Sequence, residues 1–187
     1  METVNITAYT DSGCFPNPGH GGCAVIFILE KDGIRYIKTI RSYTPPLVEV
    51  SGKQLFLLKM GKKRKPIEQD GKFYIETTNN RMEIGAVIEA FERVKDPSNC
   101  NLTIYADSLW AINMANDTWV AKENIDLVRY ARELVKKFKS VKFVHVKGHT
   151  GDRFNEWCDK LAMSAYKDKL KEKEVLYYNE NIDARKE

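Results

Sequence analysis

Gly22-Cys23-Ala24-Val25-Ile26-Phe27-Ile28-Leu29 is the stretch that most limits how this chain folds. It is almost unbroken apolar sequence, rich in β-branched and aromatic residues. Such a run suits a strand buried on both faces, which calls for a sheet covered by helices on both sides. A second run, from Val4 to Asp11, alternates apolar residues at Val4, Ile6 and Ala8 and ends in an acid. A loop rich in Gly and Pro follows it, from Ser12 to Gly21. This reads as a strand that delivers a carboxylate to its C-terminal tip, although Asp also commonly opens a tight turn.

The remaining segments build a sheet around these two. Lys31-Asp32-Gly33 is a hairpin signal, and Ile34 to Ile40 reads as an antiparallel return strand. Residues 42–70 read as an insertion. Within it, Leu47 to Leu58 reads as an extra hairpin or as a strand and a short helix, and a basic run follows. Lys72 to Thr78 resumes as a strand. A helix follows, with Met82, Ala86, Val87, Ala90, Phe91 and Val94 at helical spacing. Asn80 is its expected N-cap, with Glu83 three residues on, as in a capping box. Leu102 to Asp107 is a further strand that ends in an acid. Helices are expected over 108–114 and 125–138, with a last strand over 141–146. A final helix begins near 152–155. The Lys/Glu-rich chain after Tyr166 is expected to continue as an exposed helix and then fray. The fold class is therefore α/β: a mixed five-stranded sheet, three antiparallel strands and then parallel ones, flanked by helices.

Composition narrows the partners. With 187 residues, 43% of them hydrophobic, the chain can bury the core of a single domain. The formal charge of +4 is compatible with a nucleic-acid partner without demanding one. Two basic runs stand out, Lys62-Lys63-Arg64-Lys65 and Lys136-Lys137 with Lys139 and Lys142. Such runs are usually solvated faces. The four cysteines are scattered and form no metal-type pair, so reduced thiols are expected. No run is apolar enough to span a membrane, and no signal peptide is recognisable at the N-terminus. The expectation is a cytoplasmic monomer.

Four acids then claim the chemistry. Asp11 and Asp107 end two strands, and in open α/β sheets sites form beyond the carboxyl ends of strands. Glu83 lies near the start of the helix that leads into the second of these strands. Asp159 lies on the last helix. Each has an ordinary reading: a turn starter, a capping-box partner, an N-cap for the helix at Ser108, a polar-face residue. Convergence of all four would create a repulsive cluster that needs hard divalent cations. Two such cations suit phosphodiester hydrolysis.

The motifs resemble type 1 ribonuclease H. They are Tyr9-Thr10-Asp11 with Asn17-Pro18-Gly19 and Gly21-Gly22, Thr77-Thr78-Asn79-Asn80-Arg81-Met82-Glu83, and Asp107-Ser108. Val146-Lys147-Gly148-His149-Thr150-Gly151 with Asn155-Glu156 and Cys158-Asp159 completes the set. The resemblance runs from about residue 4 to 166, outside the insertion. It implies a single RNase H domain over residues 1–187, with the insertion at 42–70 and a charged extension after 166. It also implies an endonuclease that cuts the RNA strand of RNA–DNA hybrids, leaving 3′-hydroxyl and 5′-phosphate ends. Asp11, Glu83, Asp107 and Asp159 match the ligands of two Mg²⁺ ions, for which Mn²⁺ is expected to substitute. Glu83 also matches the acid near the RNA 2′-hydroxyl. His149 matches a mobile-loop histidine linked to proton transfer and product release. Cys14, Asn17 and Asn79 match positions that touch the RNA minor groove. Thr78 and Asn124 match a pocket for a DNA phosphate, and Trp119 matches a residue packed on the DNA sugar. A non-catalytic hybrid-binding module and a DNA nuclease on the same fold are the alternatives.

The sequence also departs from the family pattern. Ser12-Gly13 reverses the usual Gly-Ser order, and Phe15-Pro16 replaces a glycine-containing pair. Leu109 stands where a glutamine commonly contacts RNA. The segment from Thr118 to Asn124 is too short for the basic handle helix of some members. Lys62 to Lys65 are the expected partial replacement for that handle.

Overall fold

Strand β1 (Val4–Phe15) is central because it pairs on both sides. The computed structural model of the chain describes residues 2–148 and 150–182. β2 (His20–Lys31) returns antiparallel to β1, with Ala8 opposite Phe27 and Asp11 opposite Ala24. Asp32 and Gly33 both take positive φ, 52° and 72°, which makes the tight hairpin that the sequence signals. β3 (Ile34–Thr44) follows, antiparallel to β2. On the other side of β1, β7 (Cys100–Ala106) runs parallel, and β8 (Ser140–His145) runs parallel to β7.

Layering follows from the alternation within β2. Val25 and Phe27 join one core with Ala8, Ile40, Leu102 and Ile104. Against these pack α2 (Asn79–Glu92) through Ile84, Val87 and Phe91, and α4 (Ile125–Val135) through Val128, Ala131 and Leu134. Ala24, Ile26 and Ile28 face the other way, onto Cys158 and Ala162 of α5 (Arg153–Lys167). α3 (Leu109–Ala115) sits beside α2. The doubly buried strand thus becomes the centre of a helix–sheet–helix sandwich.

Among the described residues the main sheet has six strands, where five were expected; with β9 (Glu174–Asn181) the order is β8-β7-β1-β2-β3-β9. The sixth, β9, comes from the charged tail that was expected to be helix. It pairs antiparallel with β3, from Arg41 opposite Glu174 to Ile34 opposite Asn181. Paired in this way, β9 satisfies the backbone groups along the β3 edge. Ion pairs fix it there: Arg41 to Glu174, Arg153 and Arg35 to Glu180, and Lys173 to the buried Glu89 at 2.6 Å.

The insertion builds a satellite and draws in the strand that follows it. β4 (Leu47–Val50) and β5 (Ile67–Gln69) of the insertion pair on either side of β6 (Lys72–Glu76), so the stretch expected to resume the main sheet is instead the centre of a second sheet, in the order β4-β6-β5. α1 (Gly52–Met60) settles the open reading of the insertion's first half in favour of helix. Val50, Leu58 and Ile75 form a separate small core. All four cysteines are free. Among the described residues no helix is long and apolar enough to cross a membrane.

Candidate active site

Parallel register brings the first two acids together. Thr10 lies opposite Ala106 across β1 and β7, so Asp11 and Asp107 leave the pair at the same level. Asp11 is half-buried, and its Oδ1 accepts the Ser12 N–H at 2.6 Å. Its pKa is nevertheless pushed up to about 8. Burial is the largest cause, the charge of Asp107 comes next, and those of Asp159 and Glu83 add to it against the lowering Ser12 bond. The four acids of β1, α2, the β7 tip and α5 therefore share one electrostatic site.

Helix α2 begins earlier than the capping-box reading requires. Its N-cap is Thr78, not Asn80, and the Thr78 Oγ1 accepts the Arg81 N–H at 3.3 Å. Buried Thr77 fixes the start by accepting Gly19 N–H and donating its own N–H to Pro46. Glu83 then stands at the second turn and caps nothing. Its carboxylate accepts from Asn79 Nδ2 at 2.6 Å and from Ser108 Oγ at 2.5 Å. Burial raises its pKa most, those two bonds lower it, and Asp107 raises it. Ser108, not Asp107, caps α3, through Ala111 N–H. Sequence reasoning assigned Ser108 no part in holding Glu83. Its hydroxyl does two jobs, and only the capping one has a local signature.

A divalent cation suits this donor set. The donors are hard carboxylate oxygens, and among the described residues none of Asp11, Glu83 and Asp159 is ion-paired. The gap enclosed by Asp11, Glu83, Asp107 and Ser108 is about 10 Å³, the scale of one water or bare ion rather than an organic cofactor. Among the described residues no three acids, histidines or cysteines already form a ligand shell. The loop after β8 borders the cluster: a Cβ on Gly148 would lie 3.1 Å from Asp107 Oδ2. His149, next in the chain, lies outside the described residues.

The other expected contact residues divide into three groups. Cys14 is half-buried, with its Sγ donating to the Thr77 and Pro16 carbonyls at 3.4 Å. Asn17 Oδ1 accepts the Asn79 N–H at 3.2 Å, which ties the β1–β2 loop to the start of α2 beside Glu83. Thr78 and Asn124, with Asn17, line a separate polar cavity of about 410 Å³. Trp119 is 46% exposed before α4 and joins neither cluster.

Residues 3–167 match the RNase H family model. The Ribonuclease H of Caldicellulosiruptor saccharolyticus is 32% identical over 177 residues, covering 87% of this chain and 97% of that protein. That of Chlorobium phaeovibrioides is 32% identical over 178 residues, covering 88% and 97%. Among solved structures, LC9-RNase H1, a type 1 RNase H with the type 2 active-site motif, superposes with a TM-score of 0.66 at 22% identity. It covers 91% of this chain and 75% of that one. LC11-RNase H1 in complex with an RNA/DNA hybrid gives a TM-score of 0.56 at 21% identity, covering 88% and 98%. The match reaches from β1 to the end of α5 and takes in all four clustered acids, and on it the chain belongs to the ribonuclease H family of nucleases.

Proposed function

We propose that this protein is an endoribonuclease that hydrolyses the RNA strand of RNA–DNA hybrids, leaving 3′-hydroxyl and 5′-phosphate ends. The observation that carries the reading is the meeting of acids from separate elements: Asp11 and Asp107 leave β1 and β7 at one level and line a single gap with Glu83, and the Asp11 carboxyl is pushed up first by burial and then by Asp107, Asp159 and Glu83. Such a cluster of carboxylates favours bound cations. Asp11, Glu83, Asp107 and Asp159 are the proposed ligands. When bound, a pair of Mg²⁺ or Mn²⁺ ions supplies activation of the attacking water and stabilisation of the leaving oxygen.

The chain's own residues do the positioning. Asn79 and Ser108 hold the Glu83 carboxylate toward the strand tips. The Asn17–Asn79 bond sets the loop that would meet the RNA strand, with Cys14 beside it. Thr78 and Asn124 are the proposed phosphate contacts, Trp119 the proposed sugar contact, and His149 the proposed proton carrier.

The test is cleavage of end-labelled hybrid, duplex RNA, duplex DNA and single strands, with and without Mg²⁺. Only the RNA of the hybrid should be cut, and only with metal. Preference for duplex DNA would make the protein a DNA nuclease. Binding without cleavage would make it a hybrid-binding module.

A further inference from the structure

The basic run of the insertion does not act as one patch. Lys65 Nζ is spent on the carbonyls of Lys59, at 2.7 Å, and Gly61, which closes the end of α1. The Lys62 backbone N–H donates to the Lys122 carbonyl at 3.1 Å, tying the insertion to the loop before α4. That tie carries the next two side chains to the polar cavity of about 410 Å³, where both Lys63 and Arg64 are lining residues. Lys63 has no ion-pair partner among the described residues, and Arg64 is bridged to the half-buried Glu76 at 2.9 Å.

The opposite wall has built-in donors. Thr78 and Asn124 are 4% and 6% exposed. Asn124 Oδ1 accepts from Arg81 at 3.3 Å, which turns the amide so that Nδ2 donates to none of the described residues. Asn124 holds this pose in the left-handed region, φ 52°, a conformation that costs a non-glycine residue energy and marks a constrained site. Thr78 is also the N-cap of α2 and Asn124 that of α4, so two helix N-termini meet at the cavity. Among the described residues Glu123 is the one acid in the lining, against two cations.

We infer that Lys63 and Arg64 of the insertion complete a pocket that clasps one backbone phosphate of the bound nucleic acid, with Thr78 and Asn124 as its floor. The inference rests on the proposed hybrid substrate and adds what the family pattern does not contain: cations supplied from this chain's own insertion. An oxyanion there accepts from a neutral floor and pairs with two cations at the rim. Lys62 and Lys65 have no share in it.

Binding of a fluorescein-labelled hybrid to the full-length chain in the D11N background, with Mg²⁺, tests this by anisotropy across a salt series. K63A/R64A should weaken binding about tenfold and lower the salt slope by roughly 1 to 2, as loss of phosphate contacts does. K136A/K137A removes the same charge from the far end of α4 and should cost less than about threefold. E123Q should tighten binding, which a merely structural role would not predict. Single methylphosphonate linkages, scanned along the DNA strand and then the RNA strand, should reveal one position that weakens the intact pocket and has a much smaller effect on K63A/R64A, which keeps only the neutral floor. That position identifies the strand held. Equal losses in the two double variants, with unchanged melting temperatures, overturn the inference, as does a scan with no sensitive position. Hybrid cleavage by the native chain is scored separately. Failure there with binding intact overturns the catalytic reading alone.

Discussion

Arg81 is the residue whose role its motif conceals. It lies among the polar residues that open α2, yet its side chain is 8% exposed and its partner Asp126 is 2% exposed. The guanidinium grips Asp126 with two bonds, 3.0 and 2.8 Å, and Gln54 of α1 donates to the same carboxylate at 3.0 Å. One pair thus joins α2, α4 and the insertion. Arg81→Ala strands a buried carboxylate and should cost about 3–5 kcal/mol, a fall of roughly 8–15 °C in melting temperature. Arg81→Lys should recover little, because an ammonium lacks the planar fork. A thermal melt of either variant within about 2 °C of the native protein would sink this account. At the acids, Asp11→Asn should lower hybrid cleavage by at least about a thousandfold while circular dichroism stays native. Residual activity near the native level in Mg²⁺ would remove Asp11 from the site. The acids were legible because strand tips and fixed spacing are local features. The partners of Glu83 were not, since Thr78, Asn79 and Asn80 are all good caps and only the burial of Thr77 chooses among them.

At the scale of elements, the strands of the meander and both crossovers were legible from alternation and hairpin signals. β9 was not. Val175 to Tyr178 is a short apolar island in a Lys/Glu-rich tail, exposed on both faces, so it carries no periodic burial signal. What makes it a strand is the free edge of β3, distant in sequence. Truncation after Lys169 should therefore lower the melting temperature by roughly 5 °C or more, since Glu89 loses Lys173 and β3 loses its cover. The bared edge should also promote self-association. Light scattering that finds a monomer, with an unshifted melt, would contradict this. The β2–α5 contact makes a sharper demand. A Cβ on Gly22 would meet the Ala162 carbonyl oxygen at 2.2 Å, backbone against strand. Gly22→Ala should push α5 outward and, with it, Asp159. Losses in both stability and cleavage are expected, whereas a packing effect confined to stability would leave kcat unchanged in the folded fraction.

For the whole molecule, the four acids proposed as ligands come from four elements, so the proposed cation site depends on the entire fold. Asp11 ordinarily titrates near 3.8 and in the folded, metal-free protein near 8. Between those values the folded state keeps a proton that the unfolded chain has released. Stability must then fall as pH rises through this window. Glu83 is shifted in the same direction and adds to the trend. A divalent cation needs the carboxylates ionised, so its binding expels protons and stabilises most where the bare site is weakest. In chelator, the melting temperature should decline from pH 5 to pH 8. Saturating Mg²⁺ should restore several degrees at pH 8 and little at pH 5. Asp11→Asn removes the titrating charge, so its metal-free melting temperature at pH 8 should exceed the native value by about 4 °C or more, with a flatter pH profile. Mg²⁺ should raise this variant far less than the native chain. Differential scanning calorimetry of both proteins, with chelator and with Mg²⁺, checks each arm without reference to activity. A native profile that is flat in chelator would mean that neither burial nor the neighbouring acids raise the Asp11 carboxyl in solution. An equal Mg²⁺ effect on both proteins would mean that the ion binds elsewhere.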